Sequence, residues 1–304
     1  MRWDDFRRSD NVEDVRGDGG GGGFSFPGGG GGGLGLGTII ILGLVGWALG
    51  IDPRILIGGA EIFTGGPGQQ MERQAAPPAR KGAPTDEQGQ FVAAVLGSTE
   101  DVWTKIFADS GQTYRVPRLR LYSGSTPAGQ CGMAQSAMGP FYCPPDRRIY
   151  LDTSFFNDMQ NKFRACSGKQ CEFAEAYVIA HEVGHHVQNL LGILPRAQEM
   201  QQQAGSRAQA NNIQVRVELQ ADCLGGVWAN QAQRQVNFIE PGDVEGAIGI
   251  ASAIGDDRLQ RQAGGRVVPD SFTHGSSEQR VRWFKIGFES GKVSACDTFR
   301  AARL

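Results

Sequence analysis

The hydrophobic pattern of the chain changes period several times, and each change marks an element. Phe91, Val92, Val95, Leu96, Val102 and Trp103 recur at helical spacing, and Thr85-Asp86 ahead of them is a capping signal. Gly97-Ser98 interrupts that run, so the pattern predicts two helical pieces, with Ser98 capping the second and Asp109-Ser110-Gly111 closing it. Leu119–Tyr122 alternates as a strand does, Arg148–Leu151 predicts a second strand, and Ser123–Pro145 between them is turn-rich. Asp152-Thr153-Ser154 reads as the cap of a helix through Phe163. A helix over about Glu172–Leu191 carries Phe173, Tyr177, Ala180, Gly184, Val187 and Leu191 as one apolar stripe, with Glu172 and Glu175 complementing the positive end of its dipole. Gly184 costs that helix about 1 kcal/mol against Ala and reads as a point of close approach by another element. A polar, partly exposed helix follows Leu194-Pro195. Longer helices are predicted over about Asn212–Gln231 and Pro241–Ile254, and Ser276-Ser277 caps a last one bearing Val281, Trp283, Phe284 and Ile286. Many helices and few short strands make residues 86–304 an α+β domain, mainly α.

The residues before this domain read differently. Residues 1–36 mix charges with a glycine tract that has nothing to bury, which predicts a disordered tail acting as a tether. Leu34–Ile51 (LGLGTIIILGLVGWALGI) carries no charge, and as a helix its eighteen residues would reach about 27 Å, close to one bilayer core. We therefore expect a membrane span over 37–57. A cleaved signal is the alternative, but the segment starts too far in and no small-residue cleavage site directly follows it. Residues 58–85, rich in Gly, Pro, Gln and Ala, read as a flexible linker.

Composition then limits the partners. Lys and Arg total 30 against 32 Asp and Glu, a net charge of −2, which provides no basic field for nucleic acid. Basic residues flank the apolar run on both sides, so charge does not orient it. All six cysteines, Cys131, Cys143, Cys166, Cys171, Cys223 and Cys296, follow the apolar run. An even set on one side fits disulfides in an oxidising space. Of fifteen pairings we take the two short-range ones, Cys131–Cys143 and Cys166–Cys171, which leaves Cys223 with Cys296. Reduced core thiols are the alternative.

The candidate chemistry lies in His181-Glu182-Val183-Gly184-His185. Histidines four apart on a helix face the same way and can share one cation, with Glu182 beside them as a general base for a water. Only four histidines occur in the chain: 181, 185, 186 and 274. Glu218 and Asp222 are also four apart, on a helix with otherwise apolar faces. They are either an exposed acidic edge or the source of the ligand that a two-histidine site lacks. Asp256-Asp257 reads as turn and cap chemistry. His274 falls in a loop at a helix entrance.

Five runs together resemble the neutral zinc metallopeptidase family of single-span bacterial envelope proteins: GPFYCPPDRRIYLD (139–152), AYVIAHEVGHHVQ (176–188), VELQADCLGGVWA (217–229), IGDDRLQ (254–260) and FTHGSSEQR (272–280). That family in turn resembles membrane-associated gluzincins. The resemblance implies a zincin-like (gluzincin) fold binding one Zn²⁺ through His181, His185 and Glu218, with Asp222 supporting a ligand histidine and His274 reaching the reacting carbonyl. Gly275 stands where those relatives usually carry Pro, and His186 matches nothing in the pattern.

The reading that results is a membrane-anchored zinc endopeptidase acting on protein or peptide substrates. Its domain is expected on the periplasmic side of a bacterial inner membrane, anchored by a single pass. Substrate would lie extended along the edge of the small sheet, with 119–122 and 148–151 as candidate strands. Two rivals are an amidase-like zinc hydrolase with a cysteine ligand and a catalytically silent protein with a structural zinc site.

Overall fold

A computed structural model describes residues 1–16, 84–264 and 266–304, and all of these fall in one unit. The span expected over 37–57, and nearly all of the linker expected over 58–85, lie outside the described residues. No helix among the described residues is long and apolar enough to cross a membrane.

Helices dominate. They are α1 (Glu87–Asp109), α2 (Ser154–Asn161), α3 (Gln170–Leu190), α4 (Ile193–Gln202), α5 (Arg207–Val236), α6 (Asp243–Ala253), α7 (Asp256–Gln262) and α8 (Ser277–Ser290). The strands are β1 (Val12–Asp14), β2 (Arg118–Tyr122), β3 (Ser125–Pro127), β4 (Met133–Gln135), β5 (Phe141–Cys143) and β6 (Arg148–Asp152). One sheet runs β1-β2-β6-β5, with β1, β2 and β6 parallel and β5 antiparallel; β3 and β4 form a separate antiparallel ribbon.

The α+β, mainly α class predicted from the sequence is the class observed. Leu119, Leu121, Ile149 and Leu151 present one face of the sheet to the helical core, while Tyr122, Tyr150 and Cys143 close a smaller cluster with Ala128 and Ala134. Burial on both faces explains the nearly continuous apolar run in β6. The strands 118–122 and 148–152 are therefore interior, each paired on both sides, and cannot offer a substrate the edge expected of them. The edges of this sheet among the described residues are β1 and β5.

A larger correction concerns the start of the chain. Residues 1–16 are not a disordered tail: Met1, Phe6 and Val12 are buried in the main core. The Leu119 N–H donates to the Asn11 carbonyl at 2.9 Å, and the Val15 N–H to the Leu121 carbonyl at 2.9 Å. Glu13 receives Arg120 and Arg148, each at 3.1 Å. Arg16 pairs with Asp86, so the chain leaves this unit and returns to it at one place. The charges that suggest a solvated tail are partners of charges 70 to 135 residues away.

The same segment explains why α1 does not break. Ser9 Oγ and Asn11 Nδ2 donate to Glu100 at 2.6 and 2.8 Å, and Arg7 reaches it at 2.7 Å. A Cβ on Gly97 would stand 2.1 Å from the Arg7 carbonyl oxygen, so glycine is there for close approach. Ser98 caps nothing and instead accepts the Trp228 indole N–H at 3.1 Å. Gly184 likewise lets α3 approach the backbone of Ala221 on α5, where a Cβ would meet its carbonyl at 2.9 Å. Gly287 brings α8 down on Cys223 of α5 in the same way. All three disulfides match the expected pairing: Cys131–Cys143, Cys166–Cys171 and Cys223–Cys296.

Two stability outcomes follow from this packing. Ser9→Ala with Asn11→Ala removes two donors from Glu100, which is 4% exposed, and should cost roughly 1–3 kcal/mol in thermal or urea unfolding. No change would mean that the amino-terminal segment does not contribute to stability. Burial, aided by Glu172, raises the Glu175 carboxyl from 4.5 to about 7. The native state then holds that proton more tightly than the unfolded chain, so the contribution is present at low pH and is lost as pH rises from about 4.5 toward 7. Glu175→Gln should flatten that loss and stabilise the protein at pH 8, roughly by 1–3 kcal/mol.

Candidate active site

Helix α3 presents His181 and His185 toward α5, which the close crossing at Gly184 and Ala221 brings alongside. Glu218 of α5 completes the group: its Oε2 lies 3.3 Å from His181 Nε2 and 3.5 Å from His185 Nε2. One ligand atom from each of these three residues lies within 4.8 Å of the others. Atoms held about 2.0–2.1 Å from a tetrahedral zinc stand roughly 3.3 Å apart, so the spacing fits that ion.

The far side of each ring also fits. His181 Nδ1 lies 2.8 Å from Asp222 Oδ1, and His185 Nδ1 lies 2.9 Å from Gln188 Oε1. Both partners are acceptors, which puts hydrogens on the two Nδ1 atoms and leaves both Nε2 atoms facing Glu218, to carry a proton in the metal-free protein or to bind an ion in its place. Of the two acids offered by α5, Glu218 faces the histidine nitrogens directly and Asp222 stands behind His181.

Asp222 is fully buried and satisfied on every side. Arg280 grips it with Nε to Oδ2 at 2.9 Å and Nη2 to Oδ1 at 2.8 Å, and the Tyr177 hydroxyl donates to Oδ1 as well. Burial pushes its carboxyl up, but Arg280 and His181 outweigh burial and hold it at about 2. Burial alone would lower His181, yet Asp222 and Glu218 raise it to about 10 when no metal is bound. Burial also works against the charged Glu218, but His185 and His181 hold its carboxyl well below the usual range. The result is two proton-hungry rings around a firmly ionised carboxylate, a set that a divalent cation can replace protons to satisfy.

Glu182, 7% exposed, follows His181 on α3 and adds to the negative field at His185. His274 comes from the loop before α8, with its side chain half exposed. That loop is built on Asp256, at the start of α7, whose Oδ2 accepts the backbone N–H of Thr273, His274 and Gly275 at 2.7, 2.6 and 3.1 Å. Asp256 Oδ1 also lies 3.3 Å from His274 Nδ1. Burial tends to lower His274, while Asp256 and the field of Glu218 raise it. Gly275 has φ +91°, closed to proline, and its N–H is in use. Asp256 thus does cap a turn, as the sequence suggests, and in addition it holds His274.

His186 turns away from this group. It is buried between Tyr142 OH at 2.9 Å and the Arg115 carbonyl at 2.6 Å, and burial lowers it to about 4. The sequence reading did not single out Tyr177, Gln188, Asp256 or Arg280 for the site. Arg280 and Asp256 fall inside the FTHGSSEQR and IGDDRLQ runs, which was the available signal; Gln188 ends the AYVIAHEVGHHVQ run.

A helix-borne pair of histidines joined by a glutamate from a second helix is the arrangement of a zinc-peptidase-type site. The chain belongs to the family described as "Putative neutral zinc metallopeptidase", whose model matches residues 1–299. It is 48% identical over 300 residues to the uncharacterized protein YpfJ of Escherichia coli (strain K12), covering 98% of this chain and 99% of that one. It is 45% identical over 222 residues to the uncharacterized proteins Mb2605 of Mycobacterium bovis and Rv2575 of Mycobacterium tuberculosis, covering 70% of this chain and 71% of each. No solved structure matches.

The hydrogen bond from Asp256 predicts a measurable shift. In metal-free protein, Asp256→Asn should lower the pKa of His274 in an NMR titration, where four histidines make assignment tractable. An unchanged pKa would mean that the two side chains do not meet in solution.

Proposed function

We propose that this protein is a zinc-dependent endopeptidase. The observation that carries this reading is the spacing of His181 Nε2, His185 Nε2 and Glu218 Oε2, with each ring's other nitrogen already held by an acceptor. A zinc ion bound there supplies Lewis acidity and lowers the pKa of a water from 15.7 toward about 7. Glu182 takes the proton of the attacking water and returns it to the leaving amine. His274, with Nδ1 toward Asp256, offers its Nε2 side to the oxygen on which charge develops. Losing one such donor typically costs on the order of 10²–10³ in rate. Asp222 keeps His181 in one tautomer, and Arg280 keeps Asp222 ionised.

An extended peptide finds its pairing partner in β5 rather than in β2 or β6. This edge strand lies against α3 through Tyr142, whose hydroxyl meets His186 and Asn189, each at 2.9 Å. Main-chain pairing there would tolerate many sequences.

The amidase-like rival needs a thiolate ligand, and every cysteine is in a disulfide. The disulfides also favour an oxidising compartment. We place the domain on the periplasmic side of an inner membrane, together with residues 1–16 that are built into its sheet. A structural zinc site would need neither Glu182 nor His274, which weighs against the silent rival.

The test uses the full chain, because residues 1–16 belong to the fold. Zinc content and cleavage of an unfolded protein are compared with Glu182→Gln. Zinc retained by both, with cleavage lost in the variant by about 10²-fold or more, is expected. Equal cleavage by both, or no zinc in either, would sink the reading.

A further inference from the structure

The Gln188 oxygen that meets His185 is the near end of a longer chain of buried amides. Gln188, one turn after His185 on α3, is fully buried. Its Nε2 donates twice, to the Val217 carbonyl at 2.8 Å and to Gln220 Oε1 at 2.9 Å. Gln220, 6% exposed on α5, donates its own Nε2 to the Cys296 carbonyl at 2.9 Å. Cys296 is tied by its disulfide to Cys223, three residues beyond Gln220 on the helix that carries Glu218.

The direction of these bonds is forced. A backbone carbonyl only accepts, so the Gln220 group facing Cys296 must be its NH₂, and its oxygen must face Gln188. Gln188 therefore turns its NH₂ toward that oxygen, and the Val217 carbonyl demands the same orientation independently. Its oxygen is left for His185 Nδ1, which must carry a hydrogen. Nε2 then has one direction, toward Glu218. Two backbone carbonyls on α5 and near the carboxy terminus thus determine, through two amides, which nitrogen of His185 can bind an ion. His181 is held by a charged carboxylate; His185 is held by a neutral relay whose far end is anchored by a disulfide.

We propose that Gln188 and Gln220 are positioning residues for His185, and that the Cys223–Cys296 bridge fixes the carbonyl from which their orientation is read. This rests on the zinc reading above. Dismantling the relay frees His185 to rotate or to take the other tautomer, and partners of this kind are typically worth 10–100-fold in metal affinity.

The experiment measures the zinc dissociation constant of the full chain by competition with a chelator. The variants are Gln188→Leu, Gln220→Leu and the pair Cys223→Ser with Cys296→Ser. Unfolding of each metal-free variant is followed in parallel, and the visible spectrum of the cobalt-loaded form reports ligand geometry. Gln188→Leu should bind zinc 10–100-fold more weakly and show an altered cobalt spectrum, while a cooperative melting transition of each metal-free variant, at a lowered temperature, shows that it is still folded. The Cys pair should weaken binding in the parent and add nothing in the Gln188→Leu background, because the two changes act through one path. Unchanged affinity and spectrum in a folded Gln188→Leu would overturn the relay; unchanged values in a folded Gln220→Leu, where the Val217 carbonyl still orients Gln188, or additive losses in the combined variant, would overturn the part given to Gln220 and the bridge. Failure of the parent itself to bind zinc would sink the zinc reading instead, which keeps the two failures apart.

Discussion

Everything at the site depends on one buried carboxylate having enough partners. Asp222 is wholly removed from water, where an unpaired charge would be driven to neutrality or would unfold its surroundings. Arg280 from α8, His181 and Tyr177 from α3 converge on it, so one residue of α5 joins three helices. The ion pair is poor evidence for stability, since a well-packed apolar cluster could do as well. It does fix orientation: α8 cannot rotate without stranding a charge, and His181 cannot turn without losing its acceptor. The glycines at 184 and 287 permit the helix spacing that these bonds need.

Much of this was legible in the sequence because it repeats at a helical period. The two histidines, the Glu218–Asp222 pair and the apolar stripe of α3 are local patterns, and local patterns survive without coordinates. Counting the cysteines gave only an even set; the pairing taken, of the two short-range pairs and the pair they leave, is the one observed. What was hidden is long-range. Arg7, Ser9 and Asn11 look like a solvated tail until Glu100 is seen beside them, and the break expected at Gly97-Ser98 vanishes because that segment and Trp228 cover it. Strand order was hidden for the same reason: β1 is three residues in a charged segment, and its pairing turns β2 from an edge into an interior strand.

The loop carrying His274 is held by hydrogen bonds to one aspartate. With glycine at 275 the backbone takes a conformation proline cannot adopt, and it gains an N–H. Asp256 collects that N–H with two others, so the aspartate provides by hydrogen bonding the rigidity that a proline ring would give covalently. Asp257 does a parallel service for α8, accepting the N–H and hydroxyl of Ser277 at 2.7 and 2.8 Å. The double aspartate is one hinge pin for the loop and one for the helix after it.

The pairing of β1 with β2 reaches beyond stability. Strands bonded in one sheet share one compartment, so Met1–Arg16 and the domain from Pro84 onward must face the same solution. A single crossing of a bilayer between them would part β1 from β2 and strip Glu100 and Glu13 of their partners. Sidedness is therefore a property the folded domain imposes on both of its chain segments at once, and a topology map that gave them opposite faces would describe a protein without this sheet.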